Sequence, residues 1–336
     1  MMEPPGLEHN GDGQLLHVHD LPQLYTKPEY SVLIATLDDL RKSTYSFNSS
    51  DVDGRARISI DETGVPRYLT NIISSSLDWL NDEQQEVVLQ LASQRLAERS
   101  GRNAAPSMTR PFRIREDLVI YLHEPSLTED SLGLKTWTSS LLLARRLAEM
   151  EKYLPPTTST VLELGAGTGL VGLAAAHIWT GRVSQVMLTD LPQIVPNVQR
   201  NIDAMTAGRV HSEHMSCQIE SCVLDWSNNH EPDVLHDIIV AADPIYDSAH
   251  PRMLVDAVHR HIAKSAGARF MLELPIREGY AKERKDLRGR LEAFMTVVEE
   301  GQEVGYDDWE GYDGHPLEVV CWWSVWRLTQ PDSVQQ

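Results

Sequence analysis

The chain has 336 residues, with 30 Lys and Arg against 49 Asp and Glu, a formal net charge of −19 at pH 7. Such an acidic balance disfavours a nucleic-acid backbone, which needs a basic footprint. It suits a basic protein partner, or solubility alone. No run of about 18 apolar residues is present, so no membrane-spanning helix is expected.

The first residues, MMEPPGLEHNGDG, lack the basic-then-apolar layout of a secretory signal. Cys217, Cys222 and Cys321 show no C-x-x-C spacing and read as reduced thiols in a cytosolic or nuclear protein, of which a cytoplasmic location is the expectation. Residues 1–29 mix Pro, Gly, His and acids without periodicity and read as a disordered tail.

From 30 to 105 a mostly helical accessory region is expected. Ser31–Leu40 is apolar enough for a short helix, and residues 41–65 read as loop around a short strand at Arg57–Ile60. In Ser76–Arg99, residues Leu77, Leu80, Val87, Val88, Leu91 and Leu96 recur near the helical period, with Asn81-Asp82-Glu83 opening a fresh turn. Gly101–Thr109 reads as a linker.

From 110 to 330 the texture is that of a second domain. Phe112–Ile114 and Leu118–Leu122 suggest a β-hairpin. Next comes an amphipathic helix with Leu141, Leu142, Ala144 and Leu147 on its apolar face, Thr138 or Ser139 as N-cap, and Pro155-Pro156 as its stop. Strands are then expected at Val161–Leu164, Val183–Thr189, Gln218–Leu224, Ile238–Ala242 and Ala268–Leu274, with helices between them. Phe294–Val298 and Leu317–Leu328 close the chain without a helix between them, which implies an antiparallel pair at the sheet edge. The expected fold is α/β, with seven strands.

Val161–Leu173 (VLELGAGTGLVGL) is a strand, a glycine turn and a helix start. Glycines there allow backbone angles closed to other residues and a close approach by a ligand, and the helix start offers unpaired N–H groups. Gly165, Gly167 and Gly169 are spaced two and two, unlike the dinucleotide G-x-G-x-x-G. Glu163 would repel a pyrophosphate but suits an ammonium, so the turn favours S-adenosylmethionine over NAD.

In open α/β sheets ligands sit at the carboxyl ends of the strands, and three later strand ends carry fitting residues. Asp190 can accept two ribose hydroxyls or cap the next helix. Asp225-Trp226 can meet an adenine amine and ring face, or form a turn with a packed aromatic. Asp243-Pro244-Ile245-Tyr246 can aim a carboxylate and a phenol into the cleft, or make an edge turn. His211, His214, His230, His236 and His250 lack ligand spacing and read as solvated loop residues, so no metal is expected.

Together EPSLTEDSLGLKTWTSSLLLARRL, VLELGAGTGLVGLAAA, LTDLP, VLDW and ADPIYD resemble the seven-strand (class I) protein-lysine N-methyltransferases, over residues 110–328. More narrowly they resemble the fungal subgroup that methylates translation elongation factor 2. The resemblance implies a Rossmann-like sheet binding S-adenosyl-L-methionine. Glu163, Gly165, Gly167 and Gly169 would hold its methionine end, Asp190 its ribose, and Asp225 and Trp226 its adenine, with Trp137 on its outer side. Asp243 and Tyr246 would face the methyl group and the incoming lysine as the catalytic pair, Asp243 also counting among the cofactor-binding residues. Thr138 departs from the small residue expected after the Trp. The box carries Asp where amide-nitrogen methyltransferases have the Asn of N-P-P-Y. A protein substrate and a monomer are implied, without nucleic acid or membrane. Fold alone leaves open a different protein or small-molecule substrate, or a non-catalytic binding module.

Overall fold

The computed structural model of the chain describes residues 16–41, 60–99, 107–126, 132–207, 217–228, 231–310 and 316–329. They fall into two compact units, one from 16–41 and 60–99 and the other from 107 onward.

Three helices build the first unit: α1 (Tyr30–Asp39), α2 (Val65–Ile73) and α3 (Asp82–Ala97). Leu33, Leu37, Leu69, Ile72, Val88 and Ala92 are fully buried among them. The reading of 1–29 as a disordered tail is corrected over 16–29, where two short 3-10 turns bring Val18 and Leu21 into this core. Later side chains fasten them: the Tyr68 hydroxyl donates to the Pro22 carbonyl at 2.7 Å and the Trp79 indole to that of Pro28 at 2.9 Å.

Helix α2 was not expected, although Val65, Tyr68, Leu69 and Ile72 share its buried face. The helix expected from Ser76 starts only at Asp82. Asn81 caps it by exchanging hydrogen bonds with Gln84, while Leu77 takes φ 49° outside it. Of the strand expected at 57–60, only Ile60 is described, bridged to Leu16.

The second unit opens with the expected hairpin, β1 (Met108–Arg115) and β2 (Leu118–Glu124). Helix α4 (Thr138–Met150) follows. Its N-cap is Trp137, whose indole has no acceptor to cap with, rather than Thr138 or Ser139; the Thr138 hydroxyl donates to the Tyr306 carbonyl at 3.3 Å. Then come β3 (Ser159–Leu164), α5 (Leu170–Ile178), β4 (Val183–Asp190), α6 (Val195–Ala207), β5 (Gln218–Val223), β6 (Ile238–Ala242), α7 (His250–His261), β7 (Arg269–Pro275), α8 (Ala281–Glu292), β8 (Met295–Glu310) and β9 (Pro316–Leu328).

The seven-stranded sheet runs β5-β4-β3-β6-β7-β9-β8. The first five strands are parallel; β9 is antiparallel to both β7 and β8. Alternation along each strand feeds two cores, one per face. Val161, Ile238 and Val240 enter one, and Leu162, Ile239 and Ala241 the other. Strand order reverses between β3 and β6, so the ends of β3, β4 and β6 border one crevice. The final hairpin is much longer than the expected 294–298 segment. Its acidic, glycine-containing stretch has no sustained apolar run and is held by pairing with β9 and by contacts from α4. Among the described residues no helix is long and apolar enough to cross a membrane.

Gly172, inside α5, shows how tightly the sheet and helix meet. A Cβ there would lie 2.6 Å from Glu163 Oε2 and 2.8 Å from Leu188 Cγ. Helix propensity alone favours Gly172→Ala by about 1 kcal/mol, but overpacking costs about 1–3 kcal/mol. Gly172→Ala is therefore expected to lower the denaturant midpoint; a raised midpoint would contradict this packing.

Candidate active site

Each glycine of the 165–169 turn has positive φ: 71° at Gly165, 58° at Gly167 and 87° at Gly169. All three are also crowded: a Cβ at Gly169 would lie 2.8 Å from Leu188 Cδ2, one at Gly167 2.9 Å from the Gly133 carbonyl oxygen, and one at Gly165 3.2 Å from the Trp226 ring. Strand β4 pins the turn from the side. The Gly165 and Ala166 amides donate to the Thr189 carbonyl at 3.0 and 2.9 Å. The Asp190 carboxylate accepts from the Gly167 amide at 2.8 Å and the Leu191 amide at 2.7 Å. Burial raises the Asp190 pKa, against the opposing pull of these two bonds.

Glu163 sits deeper than the sequence suggested. It is 2% exposed, and its Oε2 accepts the Gly172 amide at 2.8 Å, inside the first turns of α5. Burial, with the Asp190 charge adding, raises its pKa to about 8. A carboxyl so enclosed braces the turn from behind; direct pairing with a ligand ammonium in the crevice is not what this placement provides.

The Trp226 ring stands over Gly165. Asp225 is turned to its own loop: Oδ1 accepts the Ser227 amide at 2.9 Å and the Ser227 hydroxyl at 2.7 Å, which lower its pKa. Trp226 meets the His250 ring edge-on at 6.1 Å, and His250 meets Tyr246 at 4.2 Å and 88°. His250 is thus half-buried at the start of α7 between two aromatics, and burial lowers its pKa. His236 is 6% exposed, with a pKa lowered to about 4 by burial. Both correct the reading of these histidines as solvated; His211, His214 and His230 lie outside the described residues.

Asp243 closes β6 in a left-handed conformation, φ 48°, with its amide donating to the Glu273 carbonyl at 2.9 Å. Asp tolerates this region better than most residues, and such strain clusters at functional sites. Its carboxylate faces the Arg277 guanidinium at 2.9 Å, and that guanidinium lies 5.7 Å from the Trp137 ring centre. Tyr246 is 55% exposed beside them. Its phenol pKa is raised first by burial and then by the charges of Asp190, Asp243 and Asp247.

Several contributors escaped the sequence reading. Arg277 pairs with Asp243 across 34 positions. Glu273, on β7, is wholly buried; burial, with the Glu303 carboxylate beside it, holds its pKa well above the ordinary range. An acid within the apolar run MLELP was the available signal. Glu124, 1% exposed, accepts from Arg110 at 3.1 Å and from the Thr136 amide at 2.9 Å. The Thr136 and Thr168 hydroxyls bond at 2.7 Å, fastening the segment before Trp137 onto the glycine turn.

A family model described as lysine methyltransferase matches residues 116–288. The chain is 38% identical over 278 residues to protein-lysine N-methyltransferase EFM2 of Saccharomyces cerevisiae, covering 75% of this chain and 64% of that protein. It is 31% identical over 322 residues to protein-lysine N-methyltransferase rrg1 of Schizosaccharomyces pombe, covering 93% and 99%. The chain belongs to the lysine methyltransferase family. A shorter match, 31% over 111 residues, joins this methyltransferase to EEF1A lysine methyltransferase 3 of Xenopus tropicalis, over 33% of this chain and 44% of that one.

S-adenosylmethionine is the methyl donor of this methyltransferase family, and the crevice suits it. The glycine turn admits close approach, Asp190 lies at the switch point, and Trp226 offers a ring face over the turn. Among the described residues no three metal-binding side chains gather.

Glu163 makes stability depend on pH. Its folded pKa of about 8 lies above its ordinary 4.5, so its stabilising contribution is complete below 4.5 and is lost as pH rises through 8. Glu163→Gln removes that loss. The ligand-free variant should therefore lose less stability than the parent between pH 5 and pH 8 in denaturant melts; parallel losses would contradict the raised pKa.

Proposed function

We propose that this methyltransferase carries a methyl group from S-adenosylmethionine to the lysine ε-amine of a translation elongation factor of the elongation factor 2 type, in the cytoplasm. The observation carrying this reading is the Asp243 carboxylate at the end of β6, paired with Arg277 at 2.9 Å, whose guanidinium lies 5.7 Å from the Trp137 ring centre. A lysine amine has an ordinary pKa near ~10.4 and must lose a proton before it can attack. An aromatic-sided entrance lowers that pKa by removing water. The ammonium, drawn in by the Asp243 carboxylate, gives its proton to solvent at the entrance, and the carboxylate then accepts an N–H of the neutral amine and so orients its lone pair. Tyr246 and Trp137 flank the amine and exclude water, so catalysis rests mainly on positioning. The bound cofactor supplies the electrophilic methyl group.

On the cofactor side, Gly165, Gly167 and Gly169 offer close backbone approach to the methionine end, with Glu163 bracing them. Asp190 takes the ribose, and Trp226 with the Asp225 turn borders the adenine. The elongation-factor substrate is supported by the GLKTW and DPIY segments, and by a relative whose name carries EEF1A. Residues 30–105 act as a separate accessory domain, in keeping with the chain's division into two units.

Tritiated methyl transfer to purified elongation factor 2 tests the reading. The native chain should label a lysine of that protein. Asp243→Ala should cut transfer by at least about 100-fold, while S-adenosylhomocysteine affinity stays within about threefold, because Asp243 stands on the substrate side. An Asp243→Ala variant with native turnover would contradict its role.

A further inference from the structure

The final hairpin outruns the rest of the sheet on the side where the crevice lies. β7 ends at Pro275, opposite Cys321, whereas β8 and β9 stay paired from Glu303 and Cys321 to Glu310 and Pro316. This overhang is fastened directly to the site. The Ile276 amide, next to Arg277, donates to the Val320 carbonyl at 2.7 Å, and Thr138, next to Trp137, donates to that of Tyr306 at 3.3 Å.

The two faces of the overhang differ. One is covered by α4: Glu303 accepts from Arg146 at 2.9 Å, and Gly305 is so close to Thr138 that a Cβ would lie 2.4 Å from its methyl carbon. The other face carries the facing pair Val304 and Val320 and the pair Tyr306 and Glu318. Val304 and Tyr306 are each 50% exposed and Val320 40%. Natural proteins blunt such edge strands with lysine, but between Arg290 and Arg327 the sequence holds nine acidic residues and no Lys or Arg. Glu292, Glu299, Glu300 and Glu303 meet cationic side chains. Glu318 stands on the uncovered face itself, opposite Tyr306.

We propose that this uncovered ribbon face is the docking wall for the substrate protein, receiving a surface of Lys or Arg interleaved with apolar residues next to the target lysine. The proposal rests on the lysine-methyltransfer reading. Apolar residues rimmed by one sign of charge favour a partner of the opposite sign. The wall's two fastenings, beside Trp137 and Arg277, put a docked surface within reach of Asp243. A chain of net charge −19 has little attraction for a second copy of itself or for a phosphate backbone.

The test uses the full chain, tritiated S-adenosylmethionine and a titrated lysate from cells lacking this protein. The native chain is compared with Val304→Lys/Val320→Lys and, separately, with Glu318→Lys. All three positions are surface sites where substitution leaves folding largely intact. For whichever band the native chain labels, the double variant should need at least tenfold more lysate for half-maximal labelling. Maximal rate and S-adenosylhomocysteine affinity should stay within twofold. Glu318→Lys should shift the same way by a smaller factor, and the native half-saturation should rise with salt more than the variants'.

Equal half-saturation for native and variant chains would overturn the docking wall. So would a native dimer that the double variant turns into a monomer with unchanged half-saturation, since the face would then belong to a second copy. A labelled band away from the mass of elongation factor 2 would overturn only the substrate identity. No labelled band for the native chain would overturn the methyl-transfer reading and the docking wall with it.

Discussion

Asp190 holds the amide of Gly167 with one carboxylate oxygen and that of Leu191 with the other, at 2.8 and 2.7 Å. Through this pair β4 fixes the turn that leaves β3, and most of the site depends on that turn. Thr189 adds its carbonyl to two further turn amides and its hydroxyl to the Glu163 carbonyl at 2.6 Å. Glu163 then ties the strand to α5. Each bond is modest alone, about 0.5–1.5 kcal/mol net. Together they hold three left-handed glycines in one conformation, so the crevice is shaped before a ligand arrives.

The opposite wall is built from distant parts of the chain. Glu124 at the end of the hairpin holds the Thr136 amide, and Thr136 holds Thr168, which brings Trp137 to the start of α4 beside the glycine turn. From the other side Arg277 links that tryptophan to Asp243. A carboxylate only 7% exposed in its side chain would be costly if unpaired. The arginine offsets that cost with a cation, the same class of group the substrate lysine brings.

Much of this was legible in the sequence because it depends on local pattern. The spacing of Gly165, Gly167 and Gly169 marks the turn, and Asp190, Trp226, Asp243 and Tyr246 sit at strand ends that apolar runs delimit. What was not legible depends on tertiary contact. Val18 and Leu21 lack a periodic neighbourhood and are buried because the segment carrying them is tied down by side chains from 68 and 79. Thr138 looks like an N-cap, but the helix already begins there with Trp137 in the cap position, and its hydroxyl donates to the Tyr306 carbonyl. Arg277 has meaning only beside Asp243, and His250 only between Trp226 and Tyr246. Glu163 was read as a ligand contact because its position beside the glycines is clear from sequence, while its direction is not.

Turn, aromatic walls and carboxylate together describe an enzyme that positions one lysine of a protein against a methyl donor. The most direct measurement is mass spectrometry of elongation factor 2 peptides from cells lacking this protein, compared with cells re-expressing it. The account predicts one lysine that loses its methyl mass increments in the deletion and regains them with the native chain, but not with Asp243→Ala. An unchanged methylation pattern across all three would contradict it.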